Sequence, residues 1–233
     1  MAKTAMERRN ALKALGGVGL GFAFGCGSDS ATSPSSPPSS STSTGTTNTA
    51  ACAVTPNETA GPYPSLTDMF RSDIREGRPG TNLTLTVKVA NANNGCAAIA
   101  NANVEIWHCD VAGNYSQYGT QTQQTYLRGI QTTNANGEAT FLTIYPGWYM
   151  GRATHIHMEV TIGGRSVKVT QIAFPESINN VVHGQGVYAS RGSNPTQNLS
   201  DDIFRDSLSS ELVTPTGAPS TGYVAAYQIN VAI

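Results

Sequence analysis

From residue 83 onward the chain is a succession of short runs in which apolar and polar side chains alternate. Leu83, Leu85, Val87 and Val89 alternate with Thr84, Thr86 and Lys88. Val104, Ile106 and His108 alternate with Glu105, Trp107 and Cys109. A further run, Glu138 to Tyr145, alternates about Phe141, and Ile156, Met158, Val160 and Ile162 alternate with His155, His157, Glu159 and Thr161. Val167 to Phe174 and Tyr223 to Ile233 supply two more. A period of two sends successive side chains to opposite faces, so each run reads as a strand with one face in a core. Gly163-Gly164 lies between two runs and is a two-residue hairpin signal. Many short strands set apart by Gly, Asn and Pro loops predict an all-β chain folded as a β-sandwich. The stretch Asn198 to Leu208 predicts a short helix capped by Ser200. Residues 51–233 are therefore expected to form one folded domain.

The first 50 residues lack this alternation. Arg8 and Arg9 stand in ERRNALK, ahead of a short Gly-rich apolar stretch, Ala14 to Phe24, that stops at Gly25-Cys26. A basic segment before a short apolar one is an export signal; a membrane-spanning helix would need roughly 20 apolar residues. The twin arginines resemble the signal for export in the folded state. Cys26 after Ala23-Phe24-Gly25 resembles a lipoprotein cleavage site, and a plain cleavage site with an incidental cysteine is the alternative. Residues 1–26 are thus expected to direct the chain to the periplasm or cell envelope, with membrane attachment only through a lipid on Cys26. Residues 27–50 are almost wholly Ser, Thr, Pro, Gly, Ala and Asn. They bury too little apolar surface to offset ordering entropy, and read as a flexible tether.

Charge adds an exclusion. Charged residues make up 12% of the chain and the formal net charge is -1, which gives no reason to expect nucleic acid or an anionic membrane as partner. Of the four cysteines, Cys52, Cys96 and Cys109 follow the export segment. An exported protein is expected to hold a disulfide, and the odd number leaves one free thiol. Cys52 with Cys96 is the favoured pair, because both lie just outside predicted strands while Cys109 stands on one. Sequence alone does not fix the pairing.

Candidate chemistry gathers around His155-Ile156-His157. Residues two apart on a strand share a face, so the imidazoles are neighbours while Ile156 faces the core. The pair is a ready chelate for a first-row transition metal; two surface histidines on a strand are the plain alternative. Tyr149 lies six residues before His155, with Arg152 between them. Phenolate is a hard anionic donor that suits a hard trivalent ion such as Fe(III) better than Zn(II). Its pKa of about 10 means a metal must draw off the proton. An ordinary packing role for Tyr149 is the alternative. A zinc hydrolase built on the histidine pair would lack a nearby acidic ligand, since Glu159 lies farther along the strand. His108 and His183 have no spacing partner and read as structural or solvent-facing.

The string PGWYMGRATHIHMEV, residues 146–160, resembles the iron-binding signature of the intradiol ring-cleavage dioxygenases, the group of protocatechuate and catechol dioxygenases. VEIWHCDVAGNYSQY upstream resembles the segment that brings the second iron tyrosine, here Tyr115. YLRGIQTTNANGEATFLTIYPG resembles the connection between them, and CAVTPNETAGPYP and RSDIREGRPG resemble the secreted branch. The resemblance implies a β-sandwich whose loops form an iron cleft. It implies one Fe(III) per chain on Tyr115, Tyr149, His155 and His157. Two phenolates and a hydroxide neutralise Fe(III), so the site can be partly buried without a large desolvation penalty. The implied reaction is cleavage of a catechol-type ring by dioxygen, giving a cis,cis-muconate-type product. Tyr149 is then the tyrosine that leaves, and Arg152 stabilises charge developing on the substrate. Gln171 resembles a pocket residue of the family. A regular hairpin at Gly163-Gly164 would pair Gln171 with Ile156, facing away from the histidines; a bulge would be needed to turn it inward. Trp148 lines the substrate pocket or simply packs. The long helical N-terminal segment of catechol dioxygenases has no counterpart here, which leaves oligomeric state open. An exported binding module that keeps the fold without turnover is the competing function.

Overall fold

A computed structural model describes residues 52–233. The export signal, the tether and Cys26 lie outside the described residues. Among the described residues nine strands make two sheets. One contains β1 (Asn82–Asn91), β2 (Ala97–Ala98), β5 (Glu138–Ile144), β8 (Thr216–Ala218) and β9 (Gly222–Val231). In it β1 is central: β5 and β2 pair antiparallel along it, and β9 pairs parallel. The other runs β4 (Arg128–Thr132), β3 (Asn103–Trp107), β6 (His155–Ile162), β7 (Arg165–Ala173), all antiparallel. The alternating apolar positions meet between the sheets. Leu83, Leu85, Val87 and Val89 of β1 and Phe141 of β5 face Val104 and Ile106 of β3 and Ile156, Met158 and Val160 of β6. This is the β-sandwich expected from the period-two pattern.

Residues 69–74 close the side of the sandwich where β4 and β5 would otherwise show free edges. Met69 and Arg71 bond Ile130 of β4, and Ser72 and Ile74 bond Leu142 of β5. A second strap, residues 52–58, crosses the opposite region. Cys52 is bonded to Cys96 by a disulfide, while Cys109 is a buried free thiol. Thr55 N–H donates to the Asn230 carbonyl, the Lys168 ammonium donates to the Thr55 carbonyl, and Glu58 N–H donates to the Val169 carbonyl.

One alternative left open above is decided, and two expectations need correction. First, β6 and β7 do meet at Gly163-Gly164, with φ of 58° and 77°, but their ladder slips at Val160/Thr161. Thr161 pairs with Ser166 and Val160 with Lys168, so one extra residue enters β7. That bulge shifts the register by one, and Gln171 pairs with His157 rather than Ile156. Second, no helix spans 198–208. Asn198–Ser200 is a single 3₁₀ turn, Ser200 caps nothing, and α-helix is confined to a short piece, Leu208–Glu211. Asp201 is the cause: it is extended (φ −85°, ψ 126°) and its Oδ1 accepts the Ile203 N–H at 2.8 Å. A carboxylate engaging the backbone two residues on favours a turn over a helix. A helix that the alternation does not announce runs instead from Glu176 to His183, just after Pro175, burying Asn179, Val182 and His183. Third, β3 ends at Trp107, so Cys109 lies beyond the strand.

His108 and His183 are both buried. The His108 ring bonds the Cys109 carbonyl at 2.9 Å and the Thr143 hydroxyl at 2.7 Å. Burial holds the His108 imidazole down at about 4. The unfolded chain takes up that proton near pH 6.5, so stability attached to His108 is lost as pH falls from 6.5 toward 4. We expect His108→Gln to flatten the acid side of the stability profile by about 2–3 kcal/mol between pH 7 and 4.5, read from urea midpoints. An unchanged slope would assign the acid sensitivity to other groups.

Candidate metal centre

The outer face of the second sheet carries the chemistry. His155 and His157 point away from the core that Ile156 and Met158 enter, and both rings are buried. Their Nε2 atoms face each other at 3.0 Å. The Ala153 carbonyl lies 2.6 Å from Nδ1 of His155 and can only accept, so Nδ1 carries the hydrogen and Nε2 the lone pair. Trp107, the register partner of His157, stacks on it with centroids 5.0 Å apart and planes within 1°. Gly61 (φ +70°) approaches from the N-terminal segment so closely that a Cβ there would lie 2.9 Å from Cε1 of His157.

Two loops bring the tyrosines. After β3 the Asp110 carboxylate accepts the N–H groups of Ala112 and Asn114, forming a turn that presents Tyr115. The Tyr115 hydroxyl stands 3.4 Å from Nε2 of His155. Its ring stacks on Tyr63 at 4.7 Å and meets Tyr149 edge-on at 5.7 Å. Tyr149, on the loop before β6, meets the His155 ring at 5.5 Å. Arg128, the neighbour of Trp107 on β4, ties these loops down: it is fully buried and donates to the Ser116 and Tyr63 carbonyls.

The surroundings of Tyr115, Tyr149, His155 and His157 keep these four side chains neutral. Burial pushes the Tyr115 hydroxyl well above its usual value and raises Tyr149, with the Arg152 charge pulling Tyr149 back in part. Burial, helped by Arg152, depresses His155 to about 3 and His157 well below the usual range. Nδ1 of His157 is buried without a partner. The Nε2 lone pair of His155 thus points at Nε2 of His157 with two protonated phenols beside it, and a cation among them would supply the pull to ionise the phenols. Among the described residues no group of three His, Cys, Asp or Glu side chains suits a metal. A metal held by four side chains here would draw on Tyr115 and Tyr149 beside the two histidines, a set that fits a hard trivalent ion.

Arg152 reaches Gln171 Oε1 from Nη2 at 2.6 Å and Tyr149 Oη from Nη1 at 3.4 Å. The bulge thus turns Gln171 toward the centre, where its Nε2 donates to the Thr59 carbonyl at 2.8 Å. Trp148 is occupied elsewhere: Nε1 donates to the Gly192 carbonyl and Arg191 covers its ring at 4.1 Å. Sequence reasoning missed the contributions of Gly61, Tyr63, Trp107, Arg128 and Asp201. The Gly-Pro-Tyr string at 61–63 was a signal for the first two, because a glycine before a fixed proline marks a close backbone approach.

Residues 60–192, which contain all four donors and Arg152, match the model of a family described as Dioxygenase. The protocatechuate 3,4-dioxygenase beta chain of Burkholderia cepacia is 31% identical over 124 residues, 46% of this chain and 51% of that one. The chain thus spans about half the length of that curated relative. An intradiol ring-cleavage dioxygenase from Tetranychus urticae superposes with a TM-score of 0.70 at 30% identity, over 78% of this chain and 95% of the other. The dioxygenase domain of a dioxygenase–carbohydrate-binding fusion from Streptomyces sp. SirexAA-E gives 0.60 at 26%, over 78% and 99%. Catechol 1,2-dioxygenase from Pseudomonas arvilla C-1 shares the fold, with 0.55 at 20% identity over 76% and 62%. The fold and the matched span define a dioxygenase sandwich. The chain belongs to the intradiol ring-cleavage dioxygenase family.

Gly61 gives a direct test of the His157 cradle. A methyl there must displace the imidazole and sit at positive φ. We expect Gly61→Ala to weaken iron retention at least about tenfold, measured as iron left after dialysis against a chelator, with the far-ultraviolet spectrum unchanged. Retention equal to the parent would mean that Gly61 does not position His157.

Proposed function

We propose that this protein is an exported, Fe(III)-dependent enzyme that cleaves catechol-type rings between their two hydroxyls with dioxygen, to a cis,cis-muconate-type product. One ferric ion per chain would be held by Tyr115, Tyr149, His155 and His157. One observation carries the reading: two phenols stand beside two imidazoles whose Nε2 atoms face each other at 3.0 Å. Family membership supports the reaction class. The names of the protocatechuate and catechol relatives support the substrate class. Export rests on residues 1–26 alone.

Tyr115, Tyr149, His155 and His157 would hold the ferric ion, which when bound would supply Lewis-acid activation of a chelating catechol. The side chains supply the rest. Tyr149 is half-buried, stands on a loop, and has its hydroxyl beside Arg152. It is the tyrosine suited to leave and to accept a catechol proton on its phenol oxygen. Tyr115 is buried and stacked, and stays in place. Arg152 faces Tyr149 and Gln171 with its Nη edge, from which it stabilises negative charge developing on the bound ring.

The test is the visible spectrum of the iron-reconstituted protein before and after anaerobic addition of catechol. We expect a reddish tyrosinate-to-iron band that shifts on addition, and loss of part of that band in Tyr115→Phe and in Tyr149→Phe. A protein that stays colourless after iron reconstitution would sink the iron–tyrosinate centre, and a binding module without turnover would take its place.

A further inference from the structure

Arg152 is gripped from behind by a segment that supplies no metal donor. Asp201 is fully buried and uses both carboxylate oxygens. Oδ2 accepts Nε of Arg152 at 2.8 Å and the Ala153 N–H at 2.6 Å; Oδ1 accepts the Ile203 N–H at 2.8 Å. Three residues on, the buried Phe204 ring lies 5.8 Å from the Arg152 guanidinium carbon and 6.4 Å from the His155 ring. With Nε committed to Asp201, the opposite edge of the guanidinium faces the centre, toward Gln171 and Tyr149. A planar fork held at Nε, Nη1 and Nη2 has one orientation. The irregular backbone at 201–207, where a helix was expected, is what delivers the carboxylate there.

We infer that Asp201 is a positioning residue for ring cleavage: through Nε of Arg152 it fixes the guanidinium edge that meets the anionic, catechol-derived substrate. The kinetic part of this inference rests on the dioxygenase reading; the geometric part does not. Asp201 touches none of the four side chains directly, so its loss leaves the tyrosinate set in place, although it borders His155 through Ala153 and Tyr149 through Arg152. It acts on turnover, because a misaimed charge loses stabilisation that arises only as the substrate becomes anionic.

The experiment has two arms. In the first, exchange of the Arg152 Nε–H is followed by nuclear magnetic resonance in the full chain, its signal identified by its loss in Arg152→Lys. We expect slow exchange in the unsubstituted protein, and exchange at least about tenfold faster in Asp201→Asn. Exchange in the unsubstituted protein as fast as that of the exposed Arg205 overturns the inference, whether or not any variant folds. In the second arm, the iron-loaded Asp201→Asn protein is expected to keep its tyrosinate-to-iron band while kcat falls about ten- to a hundredfold and KM moves by less than about threefold. In an Arg152→Lys background the same substitution should add no more than about a twofold further loss. Full additivity of the two losses overturns the inference. If the unsubstituted iron protein does not turn over catechol, the dioxygenase reading falls, and the exchange arm alone decides the role of Asp201.

Discussion

The first half of strand β6 is buried on both faces, and the chemistry proposed for the protein follows from how its outer face is covered. Ile156, Met158 and Val160 on the inner face need only apolar neighbours, which the opposite sheet provides. His155 and His157 on the outer face are polar, and a buried polar group is costly unless it is bonded. The chain meets this by folding four distant segments over one end of the sheet. Residues 59–63 bring Gly61 and Tyr63, the turn after β3 brings Tyr115, the loop before β6 brings Tyr149 and Arg152, and the stretch from 201 to 204 brings Asp201 and Phe204. Under this cover the two Nε2 atoms face each other, with the Tyr115 hydroxyl beside them and the Arg152 Nη edge at the Tyr149 hydroxyl.

Two arginines, Arg128 buried and Arg152 partly buried, hold the cover together in different ways. Arg128 binds backbone carbonyls and Ser116, and has no carboxylate partner among the described residues. It works as a pin between the Tyr63 and Tyr115 loops. Arg152 is paired with Asp201 and shares its remaining donors with side chains at the centre. A pin can satisfy all its donors on carbonyls. A group that must meet an incoming anion keeps an edge turned toward the site.

How much of this was legible in the sequence depended on the range of each interaction. The sandwich was legible because period-two alternation is local and each strand repeats it. His155 and His157 were legible because residues two apart on any strand share a face. The position of Gln171 was not, because a bulge at Val160/Thr161 leaves no mark in the alternation of β7 and yet reverses every residue beyond it. The helix expected over 198–208 failed for a related reason. Asp201 favours a turn through its bond to the Ile203 N–H, and its long-range bonds to Arg152 and Ala153, which no local pattern announces, hold it there. Trp107 looked like one more alternating position until register set it on His157.

The strap that begins at Cys52 has a mechanical side. It is fastened to the body by the disulfide to Cys96 before it runs on, through Thr55 and Glu58, to the residues that cover His157. Tension applied upstream of Cys52 passes through a covalent link into the loop after β1 and is absorbed by the central sheet. Gly61 and Tyr63 lie downstream of that fastening and carry none of the load. Pulling on the N-terminal side therefore leaves the cover of the centre at rest, whereas a chain with the link cut would pass the same pull along hydrogen bonds toward His157.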